Sequence, residues 1–332
     1  MSYIPGPMPR TPEWYALRRY DPDRRERPIV FGATAAAAVC CISPYQTPFE
    51  FFLECKGLSG EREETDAMRM GRRLEPIVLD EYEERRHVKL LRDLPMFLSE
   101  AHNFMGATPD AMADTDHERW AYAVDAKTTT FRRIDKQGGD HLKFGEEGTD
   151  HVPSDLVMQC QQQCAVLEVG FVELPVLFDA RTLRIYRVER NDDLIAAIVK
   201  AESEMAQRLA NDDPPEPNWT HENTRELIGL LFGRDDDKLV ELNEEDLERW
   251  LEIQRRKDQV AIFEELIKAD SNRLLYKLQG AAQGTFPKGS KGLKRIAVKE
   301  SIVTEKDVAD LQSRIGQTKR RGYEFLKEYA VE

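Results

Sequence analysis

The sequence predicts an α/β protein whose core is a mixed β-sheet flanked by helices, with a mainly helical appendage at the C-terminus. In the core, short strand-like runs alternate with longer segments whose apolar residues recur at spacings of three and four. An acidic, proline-rich stretch at residues 211–217 then interrupts this pattern. We therefore expect a core domain in residues 1–210, a linker with a short helix in residues 211–243, and an appendage in residues 244–332.

The first long helical pattern spans residues 62–87 and places an acid on an apolar face. The residues that share this face are Met68, Gly71, Glu75, Val78 and Tyr82. An ionised carboxylate at Glu75 is costly there unless it is paired or bound to a metal. A salt bridge to Arg72 or Arg73 is the alternative. Pro76 removes a backbone donor, so we expect the helix to kink or restart at that residue.

Two acids and a lysine follow on a predicted β-hairpin. Residues 105–113 and 120–127 are typical of strands, and a polar turn joins them. Because side chains alternate along a strand, Asp125 and Lys127 share a face, and Asp110 lies near that face across the hairpin. Converging carboxylates repel unless a cation lies between them, which favours Mg²⁺ or Mn²⁺ and leaves Lys127 to orient or deprotonate a water. The alternative is a solvated surface hairpin.

A further helix is predicted from Pro153 to about Glu168. Its buried stripe comprises Leu156, Cys160, Cys164 and Leu167. Gln159 and Gln163 border this stripe one turn apart. An amide in that position can hydrogen-bond a water or a phosphate without adding charge, although it can equally be the polar margin of an amphipathic helix.

The remaining elements complete the sheet and the appendage. Strands are predicted at residues 171–178 and 183–189, and a helix at residues 192–209. In the appendage, Asn243 can cap a helix in which Ile253, Val260, Ile267 and Leu274 repeat every seven residues. That apolar repeat can pack on the core, on a helix of the same chain or on another subunit. A basic, glycine-rich hairpin near residues 284–298 and a final helix capped at Thr304 follow.

Composition sets outer bounds on location and cofactors. The 332 residues include 41% hydrophobic residues but no run of eighteen apolar residues, and residues 1–10 lack the apolar region of a signal peptide. Five cysteines without framework spacing indicate a reducing compartment, so we expect a soluble, cytoplasmic protein. Cys160 and Cys164 lie one turn apart and could in principle ligate a metal, but buried thiols are the expectation.

The formal net charge of −13 argues against a protein that coats nucleic acid non-specifically. It allows a local basic channel, because phosphate contacts depend on where the charges lie. Basic residues cluster at positions 18–27, 69–73, 132–136 and 288–295, whereas acidic residues concentrate at positions 211–216 and 235–237. This segregation suits a DNA-facing groove, and scattered solvated faces are the alternative.

Six motifs in order connect these features. They are Glu13–Arg18, Gly32–Thr34 with Ile42–Pro48, Gly71–Pro76, Ala107–Asp110, Val124–Thr128, and Pro153 followed by Gln159-Cys160-Gln161. Together they resemble the lambda-exonuclease and YqaJ-like viral recombinase family of PD-(D/E)xK nucleases, over about residues 13–210. The resemblance implies a restriction-endonuclease-like exonuclease core.

The resemblance also implies a role for each site residue. The metal ligands would be Glu75, Asp110, Asp125 and the carbonyl of Ala126. Lys127 would serve the nucleophilic water, and Gln159 would position that water or an oxygen of the scissile phosphate. Arg18 and Thr34 would lie near the DNA end and hold a 5′-phosphate, for which the rigid fork of a guanidinium is suited.

Two departures from the family pattern affect this assignment. Asp125 stands where the family usually has a glutamate, which is one methylene longer. The segment at residues 19–31 separates Arg18 from Thr34 by more residues than the pattern has. Arg24, Arg25 or Arg27 could therefore take the phosphate role, and a solvated loop is the alternative for this arginine cluster.

The resemblance implies a phage-type, metal-dependent DNA exonuclease with one or two Mg²⁺ ions, or Mn²⁺. It would degrade the 5′-ended strand from duplex ends and leave 3′ single-stranded tails for recombination. Implied partners are double-stranded DNA ends, a single-strand annealing protein and further copies of the chain in a trimer, without a membrane. The setting would be the cytoplasm of a bacterial host, with the protein encoded by a phage or prophage. An endonuclease, a repair-type or CRISPR-type end-processing nuclease, and a catalytically idle DNA-binding protein are the alternatives.

Overall fold

The structure is a computed structural model, and it divides into two units, Met1–Gly233 and Arg234–Glu332. The residues that it describes are 3–59, 65–114, 120–130, 144–220, 223–233, 238–285 and 292–294. Several sequence predictions lie outside them: the tip of the hairpin turn at 115–118, the basic cluster at 132–136, most of the one at 288–295, the acidic run at 235–237 and the final helix from Thr304. Among the described residues, no helix is long and apolar enough to cross a membrane.

The N-terminal part of the first unit consists of a short strand and three short helices. They are β1 (Tyr3–Pro5), α1 (Pro12–Leu17), α2 (Ala35–Val39) and α3 (Pro48–Cys55). Thr11 caps α1 by accepting a hydrogen bond from the Trp14 amide, and Thr47 forms a capping box with Glu50 at the start of α3. Both of these helices begin with proline, whose fixed φ angle suits the first helical turn.

The helix predicted around Glu75 is α4 (Asp66–Arg86), and it runs through Pro76 without restarting. The restart, one of the two outcomes expected at Pro76, was therefore wrong, whereas a kink there stays a prediction. Proline costs one helical hydrogen bond, and the packing of Val78, Leu79 and Tyr82 in the buried C-terminal half holds the helix together beyond it. The apolar face is buried only in that half, because Met68 is 51% exposed.

The predicted hairpin is present, but both of its strands are interrupted at the acids. The first divides into β4 (Gly106–Ala107) and β5 (Ala111–Asp114), and the second into β6 (Trp120–Val124) and β7 (Lys127–Thr129). The prediction of two continuous strands was therefore wrong. The cause is pairing: β4 joins a three-stranded sheet with β1 and β3 (Phe97–Ser99), whereas β5 joins the main sheet.

The main sheet contains β5, β6 and β7 together with β2 (Lys89–Leu91), β8 (Phe171–Phe178) and β9 (Thr182–Glu189). Five of these six strands follow the order β2-β5-β6-β8-β7, and β9 pairs with the other side of β8. β6 and β7 pair in parallel with successive stretches of β8, so they are two halves of one interrupted strand. The other pairings are antiparallel, which confirms a mixed sheet.

Helices flank this sheet as predicted. α5 (Ser154–Leu167) and α6 (Asp192–Asn211) follow the predicted bounds within two residues, and α7 (Thr224–Phe232) packs its apolar residues against the cluster around α3. The largest core cluster joins α5 to β8 and contains Cys160 and Cys164. Both are free, buried thiols, which confirms that expectation.

The second unit contains α8 (Glu244–Leu278) and an antiparallel hairpin of β10 (Gln283–Thr285) and β11 (Gly292–Lys294). As predicted, Asn243 caps α8, and it does so in a capping box with Asp246. Ion pairs one turn apart, such as Arg256 with Glu252, line the helix surface. What packs against its seven-residue apolar repeat stays a prediction, as does the boundary placed after residue 210.

Candidate active site

Asp110 and Asp125 lie opposite each other where the two hairpin strands are interrupted. Ala111 pairs with Val124 in the antiparallel register, and each acid is the next residue beyond that pair. The interruption frees the amide of Ala126, which donates a hydrogen bond to Asp110 Oδ2 at 2.8 Å. The amide of Asp125 instead donates to the Glu173 carbonyl in the neighbouring strand, at 3.0 Å. The broken strands thus bring two carboxyl groups together on one edge.

The carboxylate of Asp125 is enclosed by donors. Its Oδ1 accepts hydrogen bonds from Gln159 Nε2 at 2.9 Å and Gln163 Nε2 at 3.0 Å, and its Oδ2 forms an ion pair with Lys127. Asp125 is only 2% exposed, so these contacts replace the water that it loses. The shared face predicted for Asp125 and Lys127 is present, and Gln159 contacts the acid directly.

The glutamines of α5 are core residues and not a polar margin, contrary to the alternative reading. Gln159, Gln161, Gln162 and Gln163 are all buried. Gln161 donates to the Glu189 carbonyl and accepts from the Asn191 amide, which ties α5 to the start of α6. Gln162 donates to the carbonyls of Phe31 and Gly106. The helix is therefore held on three sides by amides that point in different directions.

Glu75 projects from α4 toward the same site. Burial raises its pKa above the ordinary value, the positive charge of Arg10 partly offsets this, and the charge of Asp125 raises it further. These influences place Glu75 within electrostatic reach of the hairpin acids. A Cβ at Gly71, one turn earlier, would lie 3.5 Å from the Thr128 hydroxyl, so α4 packs closely against β7 at this point.

A buried polar cluster holds α4 on the sheet. Glu173 of β8 accepts a hydrogen bond from the Tyr82 hydroxyl at 2.6 Å and two from the Arg86 guanidinium, at 2.9 and 3.1 Å. The hydroxyl of Tyr122 lies 3.1 Å from that of Tyr82. Tyr82 and Arg86 lie two and three turns after Glu75 in α4, and both bind Glu173 of β8. These contacts fix α4 on the sheet and thereby help to position Glu75 relative to the hairpin.

The charges of the site call for a cation. Burial raises the pKa of Asp110 to about 8, and the negative charges of Asp125 and Glu75 add to the effect. Burial alone would lower the pKa of Lys127, but the charges of Asp125 and Asp110 outweigh it and raise that pKa. Lys127 is therefore an ammonium in this arrangement, suited to donate to a water or a phosphate oxygen.

The carboxylate oxygens and the mutual repulsion of the three acids fit a divalent cation. Among the described residues, however, no three acid, histidine or cysteine side chains stand close enough to hold an ion as they are. Asp125 Oδ1 accepts two amide hydrogen bonds, whereas Oδ2 is paired with Lys127 alone. Oδ2 therefore keeps a lone pair that is open to an ion.

Arg18 lies apart from this cluster, at the end of α1. Its guanidinium stacks over the Trp14 ring at 4.4 Å and lies beside Gly32, where a Cβ would be 3.8 Å from Nε. Burial lowers the pKa of Arg18, and nearby Glu54 partly offsets this. Among the described residues, the Arg18 side chain makes neither a hydrogen bond nor a close ion pair. Thr34 is exposed and caps α2 only through its backbone position.

The other arginines considered for the phosphate role differ from Arg18. Arg24 bonds to Asp21 and to the carbonyls of Arg19 and Pro28. Arg27 donates to the carbonyls of Asn103 and Ser99. Their guanidinium groups hold the local backbone together, and Arg25 is exposed. Arg18 is the one of the four that combines burial with an uncommitted guanidinium.

Residues 13–169 match the family model of the YqaJ-like viral recombinase domain. The protein is also 24% identical over 263 residues to "Uncharacterized protein YqaJ" of Bacillus subtilis (strain 168), which covers 78% of each chain.

The solved structures that are similar to this chain include two exonucleases, both at low TM-scores. An alkaline exonuclease from Laribacter hongkongensis has a TM-score of 0.44 and 19% identity, covering 61% of this chain and 94% of its own. A phage-related exonuclease from Haemophilus somnus 129PT has a TM-score of 0.39 and 12% identity, covering 55% of this chain and 96% of its own.

The matched range contains every site residue predicted from the sequence: Arg18, Thr34, Glu75, Asp110, Asp125, Ala126, Lys127 and Gln159. Two residues near the site were not predicted from the sequence, Arg10 and Gln162. Arg10 precedes the matched range, has a left-handed backbone (φ 66°) and influences Glu75. Gln162 was not predicted because it lies among other glutamines. The available signal was the presence of four glutamines among the five residues 159–163 of a helix predicted to pack on the core.

Proposed function

We propose that this protein is a divalent-metal-dependent DNA exonuclease of phage type. The observation that carries the proposal is the pair of carboxyl groups at matched breaks in the hairpin strands, with Asp125 buried, Asp110 partly buried and Lys127 beside them. A surface hairpin would not bury acids against each other. The domain match supports a role in recombination, because the matched family is one of viral recombinases.

In this proposal Glu75, Asp110, Asp125 and the Ala126 carbonyl hold one or two Mg²⁺ ions, or Mn²⁺. A bound ion would stabilise the negative charge that develops on the phosphodiester and lower the pKa of a bound water. Lys127 keeps its proton and orients that water or a phosphate oxygen. Gln159 and Gln163 fix the rotamer of Asp125, so that its carboxylate is positioned before substrate arrives.

We propose that Arg18 receives the 5′-phosphate of a DNA end, with Thr34 close to it. A partly buried guanidinium without a hydrogen-bonded partner among the described residues is suited to bind an anion, and its fork matches a phosphate. This arrangement would give degradation of the 5′-ended strand and leave 3′ single-stranded tails. An annealing protein would take those tails, and several copies of the chain, as in a trimer, would retain the DNA. We place this activity in the cytoplasm of a bacterial host.

A digestion of three DNA forms tests the proposal. Linear duplexes with a 5′-phosphate, linear duplexes with a 5′-hydroxyl and covalently closed circles are incubated with Mg²⁺, with Mn²⁺ and with chelator. We expect metal-dependent release of nucleotides from the 5′-phosphorylated duplex, slower release from the 5′-hydroxyl duplex and no cleavage of circles. Cleavage of circles would indicate an endonuclease, and inactivity on every form with either metal would contradict a nuclease.

A further inference from the structure

Helix α6 carries a buried acid that the proposed chemistry does not use. The residues of α6 that face the core are Ile195, Ile198, Glu202, Met205 and Leu209. Four of the five are apolar, and Glu202 is 0% exposed in the middle of them. Neither oxygen of its carboxyl group has a hydrogen-bond partner among the described residues. An ionised carboxylate in such a place carries a large desolvation penalty.

The neighbour of Glu202 is the amide of Gln162, on α5. Among the described residues, contact with this amide favours a charged Glu202, but burial outweighs it, so the pKa of Glu202 lies well above its ordinary value. The other titratable groups within electrostatic reach are the thiols of Cys40 and Cys55, whose own pKa values are raised by burial. Each thiol is neutral and offers no positive charge to hold an ionised Glu202.

The orientation of the Gln162 amide is set by its other contacts. Its Nε2 donates to the Phe31 carbonyl at 2.9 Å and to the Gly106 carbonyl at 3.2 Å, so both amide hydrogens are used. A flipped amide would bring its oxygen against two carbonyl oxygens. The Oε1 atom of Gln162 therefore needs a donor, and it is itself buried without one.

We propose that Glu202 is a neutral carboxylic acid in the folded protein, that its hydroxyl donates to Gln162 Oε1, and that it thereby acts as a positioning residue for the active site. One proton then satisfies a buried carboxyl group and a buried amide oxygen together. The proposal rests on the proposed nuclease function for its catalytic consequence. The protonation itself does not depend on that function.

The contacts of Gln162 explain how a residue on α6 reaches the site. Phe31 and Met105 form a parallel bridge, in which the Gly106 amide also donates to the Phe31 carbonyl at 2.9 Å. This bridge joins the segment leading to Arg18's neighbour Gly32 with the segment leading to Asp110. Gln162 locks the bridge to the helix that carries Gln159 and Gln163. Glu202 thus supports an amide that ties α5 to both the proposed end-binding segment and the proposed metal-binding segment.

Three variants separate the roles of charge, donor and volume. Glu202→Gln keeps the volume and a donor but has no charge, whereas Glu202→Leu keeps the volume and removes the donor. Glu204→Gln is the matched control, because Glu204 lies on the same helix but is exposed. We expect a carboxylic-acid carbonyl band in the infrared difference spectrum of wild type minus Glu202→Gln, and none in the difference with the control.

Chemical unfolding across pH tests the proton independently. The pKa of Glu202 is raised in the folded state, so the folded chain retains a proton that the unfolded chain releases above its ordinary pKa. The stability of the wild type relative to Glu202→Gln should therefore fall as pH rises, by up to about tenfold in the folding equilibrium constant per pH unit. A gap that does not change with pH, together with an absent carbonyl band, would show that Glu202 is ionised and overturn the proposal.

Amide exchange and kinetics test the positioning role. Glu202→Leu should be less stable than Glu202→Gln, because it leaves Gln162 Oε1 buried without a donor. In Glu202→Leu the amides of Phe31 and Gly106 should exchange faster, and kcat on linear duplex should fall about tenfold with KM unchanged. Glu202→Gln should restore both. Normal exchange and kcat in Glu202→Leu would refute the positioning role. An inactive wild type would refute the proposed function, and the exchange data would still decide the positioning.

Discussion

The carboxylate of Asp125 and the guanidinium of Arg18 are both largely buried, but their surroundings differ. Asp125 is held by two glutamine amides and an ammonium. Arg18 contacts an aromatic ring and, among the described residues, makes neither a hydrogen bond nor a close ion pair. The first group is fixed before any ligand arrives, whereas the second retains its capacity to bind an anion. In the proposed function, the first group belongs to the reacting part of the site and the second to the part that recognises the DNA end.

The largest effect should come from Asp125. Asp125→Asn removes the charge that pairs with Lys127 while leaving the volume, so we expect hydrolysis of 5′-phosphorylated linear duplex to fall at least about a thousandfold. Circular dichroism and thermal unfolding should show an intact fold. Asp193→Asn, an exposed acid at the start of α6, is the control and should be fully active. Near-normal hydrolysis by Asp125→Asn would remove the hairpin from the site.

Arg18 should affect recognition and not the chemical step. Arg18→Ala should slow hydrolysis of 5′-phosphorylated ends by about ten- to a hundredfold, because a charge-assisted bidentate contact is lost. Hydrolysis of 5′-hydroxyl ends should change little, so the preference between the two substrates is the quantity to measure. Arg25→Ala, at an exposed position, should keep the preference. If Arg18→Ala keeps it as well, another group holds the end.

A variant of Asp110 should show how strongly the clustered acids repel each other when no metal ion is bound. Its pKa is raised to about 8, so the folded state gains stability from its protonation at low pH and loses that gain as pH rises toward 8. Asp110→Asn should therefore be more stable than the wild type in chelator, with a gap that widens over this range. In Mg²⁺ the wild type should be more stable than Asp110→Asn, because only the wild type retains the full set of acids that binds the ion.

Thermal unfolding with and without Mg²⁺ at two pH values measures this crossover. Asp93→Asn is unsuitable as a control because Asp93 has a positive φ angle, so exposed Asp193→Asn again serves. A melting temperature of the wild type that does not respond to Mg²⁺ or Mn²⁺ would argue that the acids do not bind metal.

The smallest effect should come from the glutamines, which share one acceptor. Gln163→Leu leaves Gln159 on Asp125 Oδ1, and Gln159→Ala leaves Gln163, so each single variant should lose only about three- to tenfold in kcat. The double variant should lose more than the product of the two, because Asp125 then has no amide donor. Strictly multiplicative losses would mean that the two amides act independently.

Much of this site could be predicted from local spacing. The period of two placed Asp125 and Lys127 on one face, and the helical period placed Glu75 on a partly buried one. The boundaries of α5, α6, β8 and β9 followed from caps, turns and apolar patterns for the same reason: these features lie within a few residues of each other.

Other features could not be read from spacing. The strand breaks at Asp110 and Asp125 arise because β4 pairs in another sheet and because β6 and β7 share β8 as their partner. The glutamines looked like a margin because their acceptors, Phe31, Gly106 and Asp125, are distant in sequence. Whether a glutamine in a core helix has a structural role depends on its hydrogen-bond acceptor, and for these glutamines the fold supplies acceptors from distant parts of the sequence.

The sequence by itself determined the chemistry available to this protein: three acids, a lysine and an arginine, in an order that matches a viral recombinase domain. Only the tertiary structure decided which of these groups are constrained and which are open. In the fold, Asp125 accepts hydrogen bonds from two glutamines and pairs with Lys127, whereas Arg18 stacks on Trp14 without a hydrogen bond among the described residues. The fold also buries Glu202 beside Gln162. The physical reason is that residue types and short periods specify local geometry, whereas burial and hydrogen-bond satisfaction depend on groups that meet only after folding.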